Sequence, residues 1–162
     1  MAGQPGFLGL GSNLGDREGH IYQALAELAG DELTVEALSD VYETEPQGEV
    51  LEQPDFLNAV ARIRTTLDPF ELLDRCKAAE AAVGRTAGGP RHGPRIVDVD
   101  VLLLGDTVLV TDRLTLPHAD LTNRRFVIEP LLELEPHLRL PDGTALAARR
   151  PAVADQPVRR VP

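Results

Sequence analysis

The sequence predicts an α+β fold of ferredoxin-like type, an α/β sandwich in which helices pack on a largely antiparallel sheet. Three observations carry that expectation. Short apolar runs are of strand length, and two longer stretches repeat their apolar residues at helical spacing. These alternate in the order strand–helix–strand–strand–helix–strand. The 162 residues fit one domain, read as 1–162 with a core over about 7–146, and no internal repeat divides it. With 43% hydrophobic residues and no Trp, the core must be built from Leu, Val, Ile and Ala.

Phe7–Leu10 reads as a first strand running into Gly11-Ser12-Asn13. Asp16 opens a helix on which Ile21, Leu25 and Leu28 share a face, and Gly30 stops it. Leu33–Thr44 is extended, Glu45–Asp55 is a loop punctuated by Pro46, Gly48 and Pro54, and Phe56–Thr65 is a strand. Asp68, Pro69 and Glu71 form a D-P-x-E start for a second helix. Leu72, Cys76, Ala79 and Val83 are its buried stripe, and Gly84 is its expected end. Ile96–Leu104 is a strand, Gly105-Asp106 turns the chain into Val108–Val110, and Pro130 is expected to start a short helix through Leu134. Residues 147–162, rich in Arg, Pro and Ala, are expected to form a loosely held tail without a second domain.

A single cysteine excludes a disulfide framework and any multi-cysteine zinc site. No run approaches a membrane span and the start lacks a charged-then-apolar signal, so a cytoplasmic protein without membrane contact is expected. A net charge of −10 argues against nucleic acid as a partner. Two basic islands nevertheless stand out. Gly84–Val97 holds Arg85, Arg91 and Arg95 with no acid, and Arg113–Arg125 holds three arginines and His118 against Asp120. Local positive charge in an acidic chain suits a small polyphosphate.

Asp98-Val99-Asp100 is the sharpest local feature. Residues two apart on a strand share a face, so the carboxylates stand side by side while Val97, Val99, Val101 and Leu103 turn to the core. Like charges that close call for a cation, and hard oxygen donors suit Mg²⁺. The arginine-rich loop directly before them, with four glycines and two prolines, reads as a lid over a phosphate chain. Phe56 and Asn58 alternate onto one strand face, where an aromatic and an amide could hold a flat heterocycle. Gly9-Leu10-Gly11-Ser12-Asn13-Leu14-Gly15 is not a dinucleotide fingerprint, no P-loop exists, and neither Ser12 nor Ser39 sits in a nucleophile elbow.

Taken in order, these segments resemble the 6-hydroxymethyl-7,8-dihydropterin pyrophosphokinase family. The resemblance rests on Gly11-Ser12-Asn13-Leu14-Gly15, Tyr42-Glu43-Thr44, Gln53-Pro54-Asp55-Phe56-Leu57-Asn58-Ala59, Gly93-Pro94-Arg95-Ile96-Val97-Asp98-Val99-Asp100 and Leu116-Pro117-His118. Arg124-Arg125-Phe126-Val127 and Pro141-Asp142-Gly143 extend it, so it spans Phe7 to Gly143. It implies transfer of pyrophosphate from ATP to the pterin hydroxymethyl group, with AMP leaving, in folate synthesis; a monomer is expected. It implies two Mg²⁺ ions on Asp98 and Asp100, and Arg85 and Arg95 as catalytic arginines beside them. Thr44, Phe56, Asn58 and Phe126 would hold the pterin. Glu80, Arg85, Arg95, Val101, Arg113, Thr115, His118 and Arg124 would hold ATP. The chain departs from the family pattern at Ala87, where an arginine is usual, and at His92, where a tryptophan is usual; Gln47 and Ala119 also differ.

Overall fold

Alternation of small and branched residues decides which side of each strand meets a helix. The computed structural model describes residues 3–45, 55–87 and 96–161. Its elements are β1 (Gln4–Ser12), α1 (Arg17–Leu28), β2 (Leu33–Leu38), β3 (Val41–Thr44), β4 (Phe56–Thr65), α2 (Pro69–Ala87), β5 (Asp98–Leu104), β6 (Leu109–Val110), β7 (Thr115–Leu116), α3 (Arg125–Leu134), α4 (Arg150–Val153) and β8 (Val158–Val161), with a 3₁₀ turn over Leu146–Arg149. The main sheet runs β5-β1-β4-β3-β8, with β2 also on β4 and every pairing antiparallel. This is the ferredoxin-like order expected, with helices packed on the sheet.

Both main helices start as their sequences dictate. The Asp16 carboxylate accepts the Gly19 N–H at 3.1 Å. At α2 the capping is reciprocal: Asp68 Oδ1 accepts from Glu71 N at 2.8 Å, and Glu71 Oε1 accepts from Asp68 N at 3.0 Å. The apolar stripes of α1 and α2 then close over one sheet face, burying Leu8, Leu10, Ala59, Ala61, Val99 and Val101. The other face takes α3, whose Val127, Ile128, Leu131 and Leu132 cover Phe7, Val60, Leu102 and Leu103. Burial of this kind, about 1.5–3 kcal/mol per large side chain, supplies most of the driving force for the sandwich.

Five expectations are corrected. Leu33–Thr44 is two strands, because the chain breaks at Ser39, whose hydroxyl accepts the Val60 N–H at 2.9 Å in place of a ladder bond. Helix α2 runs past Gly84 to Ala87. A helical glycine costs only about 1 kcal/mol, less than the buried Ala79 and Val83 stripe returns. Helix α3 begins at Arg125 and contains Pro130 in its interior, since Val127, Ile128 and Leu131 must all reach the sheet. A register shift between Phe7 and Leu8 turns Leu103 to the α3 side with Leu102, leaving Leu104 on the α1–α2 side. Residues 147–161 also differ from a loose tail: β8 pairs with β3 from Val41↔Val161 to Thr44↔Val158.

Candidate active site

Register builds the site. Gly11 lies opposite Asp98 and Gly9 opposite Asp100 across the β1–β5 ladder. Opposed residues share a face, so both carboxylates stand beside backbone that carries no side chain. The row continues into β4, where Asn58 faces Gly11 and Val60 faces Gly9, and into β3, where Thr44 faces Phe56. A Cβ on Gly11 would sit 2.9 Å from Asn58 Oδ1, so only glycine lets that amide lie against β1. Asn58, 8% exposed, donates from Nδ2 to Thr44 Oγ1 at 3.0 Å, which fixes the direction of its amide edge.

The opposite wall comes from the segment between β7 and α3. His118 donates its N–H to Leu102 O at 2.9 Å, which ties it to β5. Its Nδ1 accepts the Asp120 N–H at 3.1 Å, so the neutral ring carries its proton on Nε2 as a donor. The Asp120 carboxylate pairs with Arg124 at 3.1 Å, and that guanidinium lies 5.6 Å from the Phe126 ring centroid. Phe56 and Phe126 are both half-buried and both line the same cleft. The cleft encloses about 190 Å³. Pockets that enclose a whole drug-sized ligand run to about 300–1,000 Å³, so this one has room for a small ring.

Of the residues singled out from sequence, the structure brings together Thr44, Phe56, Asn58, Asp98, Asp100, His118, Arg124 and Phe126. Four others lie elsewhere. Val101 is 2% exposed within the α1–α2 core, and the Glu80 carboxylate accepts the Val99 N–H at 2.7 Å from the α2 side. Arg113 pairs with Asp74 of α2 at 2.6 Å and lies over Phe70, while Thr115 sits on β7. Arg95 and His92 lie outside the described residues, as does Gln47, and Arg85 and Ala87 are placed only as the last turn of α2. Sequence reasoning missed Gly9 and Gly11 as the cleft floor. Their two-residue spacing, matching that of Asp98 and Asp100, was the available signal. It also missed Glu45 and Leu102, which line the cleft.

Can these residues hold Mg²⁺? Among the described residues no group of three or more His, Cys, Asp or Glu could hold a metal ion. A carboxylate pair without further protein donors does suit an ion that keeps several waters and completes its shell from substrate phosphates.

A small cleft that brings paired carboxylates together with an arginine, a histidine and two aromatic rings suits an enzyme of the phosphotransferase class. The particular family follows from the chain itself: the family model described as 7,8-dihydro-6-hydroxymethylpterin-pyrophosphokinase (HPPK) matches residues 7–136, and the chain belongs to that family. It is 39% identical over 157 residues to the 2-amino-4-hydroxy-6-hydroxymethyldihydropteridine pyrophosphokinase of Pseudomonas aeruginosa, covering 96% of both chains. It is 42% identical over 129 residues to the enzyme of that name from Bacillus subtilis, covering 79% of this chain and 76% of that one. The HPPK-DHPS of Plasmodium falciparum shares the fold at TM-score 0.72 and 14% identity, over 93% of this chain and 43% of that one. The protein is thus a diphosphotransferase of folate biosynthesis, moving pyrophosphate from ATP to the hydroxymethyl group of 6-hydroxymethyl-7,8-dihydropterin. Among the described residues no helix is long and apolar enough to cross a membrane.

Proposed function

We propose a division of labour within the cleft. Phe56 and Phe126 sandwich the pterin ring, and Asn58 with Thr44 hydrogen-bonds its polar edge. Asp98 and Asp100 hold two Mg²⁺ ions. When bound, these ions supply charge neutralisation to the phosphate oxygens of ATP. Arg124 and the Nε2–H of His118 face the same phosphates, joined by Arg85 and Arg95. Because β7 leads directly into His118, Thr115 and Arg113 are assigned to ATP as well, with Val101 and Glu80 as further ATP residues.

The pterin hydroxyl oxygen attacks the β-phosphorus, its proton passes to solvent water, the bond from that phosphorus to the α–β bridging oxygen breaks, and AMP departs with that oxygen. The residues contribute by alignment and by preorganised charge, as phosphoryl transfer requires. A single observation carries this reading: Asp98 and Asp100 share one cleft with Phe56, Asn58 and Phe126. The test is product analysis with ATP, Mg²⁺ and 6-hydroxymethyl-7,8-dihydropterin beside an Asp98→Ala control. Equal amounts of AMP and pterin diphosphate, lost in the control, are expected. Full turnover by Asp98→Ala would overturn the assignment of the metal site.

A further inference from the structure

The last stretch of the chain lies beyond the residues 7–136 matched by the family model, yet it touches the supports of both aromatic walls. On the Phe126 side, α3 begins without a side-chain cap from its own N-cap residue, Arg124. Its first N–H, that of Arg125, is instead accepted by Gln156 Oε1 at 2.9 Å. Gln156 Nε2 donates to Asn123 O at 2.8 Å, and the Arg125 guanidinium donates back to Gln156 O at 2.8 Å and Ala154 O at 3.2 Å. The orphan amide of a helix start is therefore capped from 31 residues away, and the capped residue directly precedes Phe126.

On the Phe56 side the brace is ionic. Arg159 of β8 pairs with Glu43 and lies 3.7 Å from the Asp55 carboxylate. Glu43 and Asp55 are the immediate neighbours of Thr44 and Phe56, which face each other where β3 meets β4. Arg17 completes the clamp, donating to Glu43 Oε2 at 2.9 Å and to Asp55 O at 2.8 Å.

We propose that Gln156 and Arg159 are positioning residues for the pterin slot, one C-terminal segment setting the spacing and tilt of its two aromatic walls. The proposal rests on the reading of Phe56 and Phe126 as those walls. A stacked ring is sensitive to wall placement, and an error near 1 Å can cost about 10²-fold in rate. Neither residue lines the cleft, and the floor at Gly9, Gly11, Asp98 and Asp100 is held by the β1–β5 ladder instead. Loss of the braces therefore acts first on the pterin, with a smaller effect on ATP through Arg124, which Gln156 flanks by its bonds to Asn123 and Arg125.

The test compares Gln156→Ala, Arg159→Ala, the double variant, Arg159→Lys and Phe56→Ala by steady-state kinetics, with KM measured separately for pterin and ATP and thermal unfolding recorded alongside. Each single variant is expected to raise the pterin KM about 3-fold and the double variant about 10-fold, with the ATP KM within about 2-fold of the parent. Arg159→Lys, which keeps the charge, is expected to recover most of the loss. A double variant with unchanged pterin KM, beside a Phe56→Ala variant that raises it, overturns the proposal alone. An equal rise in both KM values also overturns it, since that is the mark of general loosening. A Phe56→Ala variant with unchanged pterin KM overturns the slot itself and the brace with it.

Discussion

Gly11 is the residue on which the cleft depends most narrowly. An added methyl there must displace the Asn58 amide, which is already committed to Thr44. Gly11→Ala is therefore expected to raise the pterin KM about 10-fold, the cost of one misdirected hydrogen bond, while the ATP KM changes little. Separate titrations of the two substrates check this, and an unchanged pterin KM would count against Asn58 as a pterin ligand. Single residues were readable from sequence where chemistry and spacing coincide. Asp98 and Asp100 sit two apart on a strand and could point only one way. The side taken by Leu103 was not readable, because the register shift between Phe7 and Leu8 that turns it depends on a strand far along the chain. Tyr42 shows the same limit. Burial and its 2.7 Å hydrogen bond to Glu133, 91 residues away, push its phenol well above the ordinary value, so it stays a neutral donor.

Helix α2 carries predictions that belong to elements. Its reciprocal cap is exposed and remote from the cleft, so Asp68→Ala is expected to lower stability by about 1 kcal/mol with both KM values unchanged. Urea unfolding beside kinetics separates the two effects. On the buried stripe of the same helix, desolvation pushes the Cys76 thiol up to about 12 from an ordinary 9.0. A thiol raised in the folded state favours folding fully below pH 9 and loses that contribution as pH climbs towards 12. Stability is therefore expected to fall across that window, and a Cys76→Ala variant is expected to fall less steeply. Thiol reagents at pH 8 should leave Cys76 untouched until urea unfolds the chain. Elements with local signals, such as Phe56–Thr65 and the start of α2, could be read outright. The end of α2, the placement of Pro130 and the break at Ser39 could not. In each, burial or a distant hydrogen bond outweighs the local preference of Gly, Pro or a continuous extended run.

At the scale of the molecule, the sheet order could be inferred from the alternation of strands and helices, but its last strand could not. Val158–Val161 holds only four residues, two of them arginines, between Pro157 and Pro162, and its partner lies more than a hundred residues earlier. Without β8 the backbone of β3 becomes a free edge, an invitation to pair with another chain. Removing residues 154–162 is thus expected to leave a folded enzyme with weakened pterin affinity and a concentration-dependent tendency to associate. Light scattering at rising protein concentration detects the second effect, and a monodisperse truncated chain would show that β3 is protected by other means.

Strand β5 has a consequence for how freely this chain can vary. Asp98 and Asp100 face the cleft, Val99, Val101 and Leu104 fill the core under α1 and α2, and Leu102 and Leu103 fill the one under α3. None of the seven is idle, so a change at any of them damages either turnover or folding. In a library varied at every position, this stretch is where tolerated substitutions will be rarest, and the losses will alternate between inactive and unfolded proteins from Asp98 to Val101 and then be unfolded proteins through to Leu104.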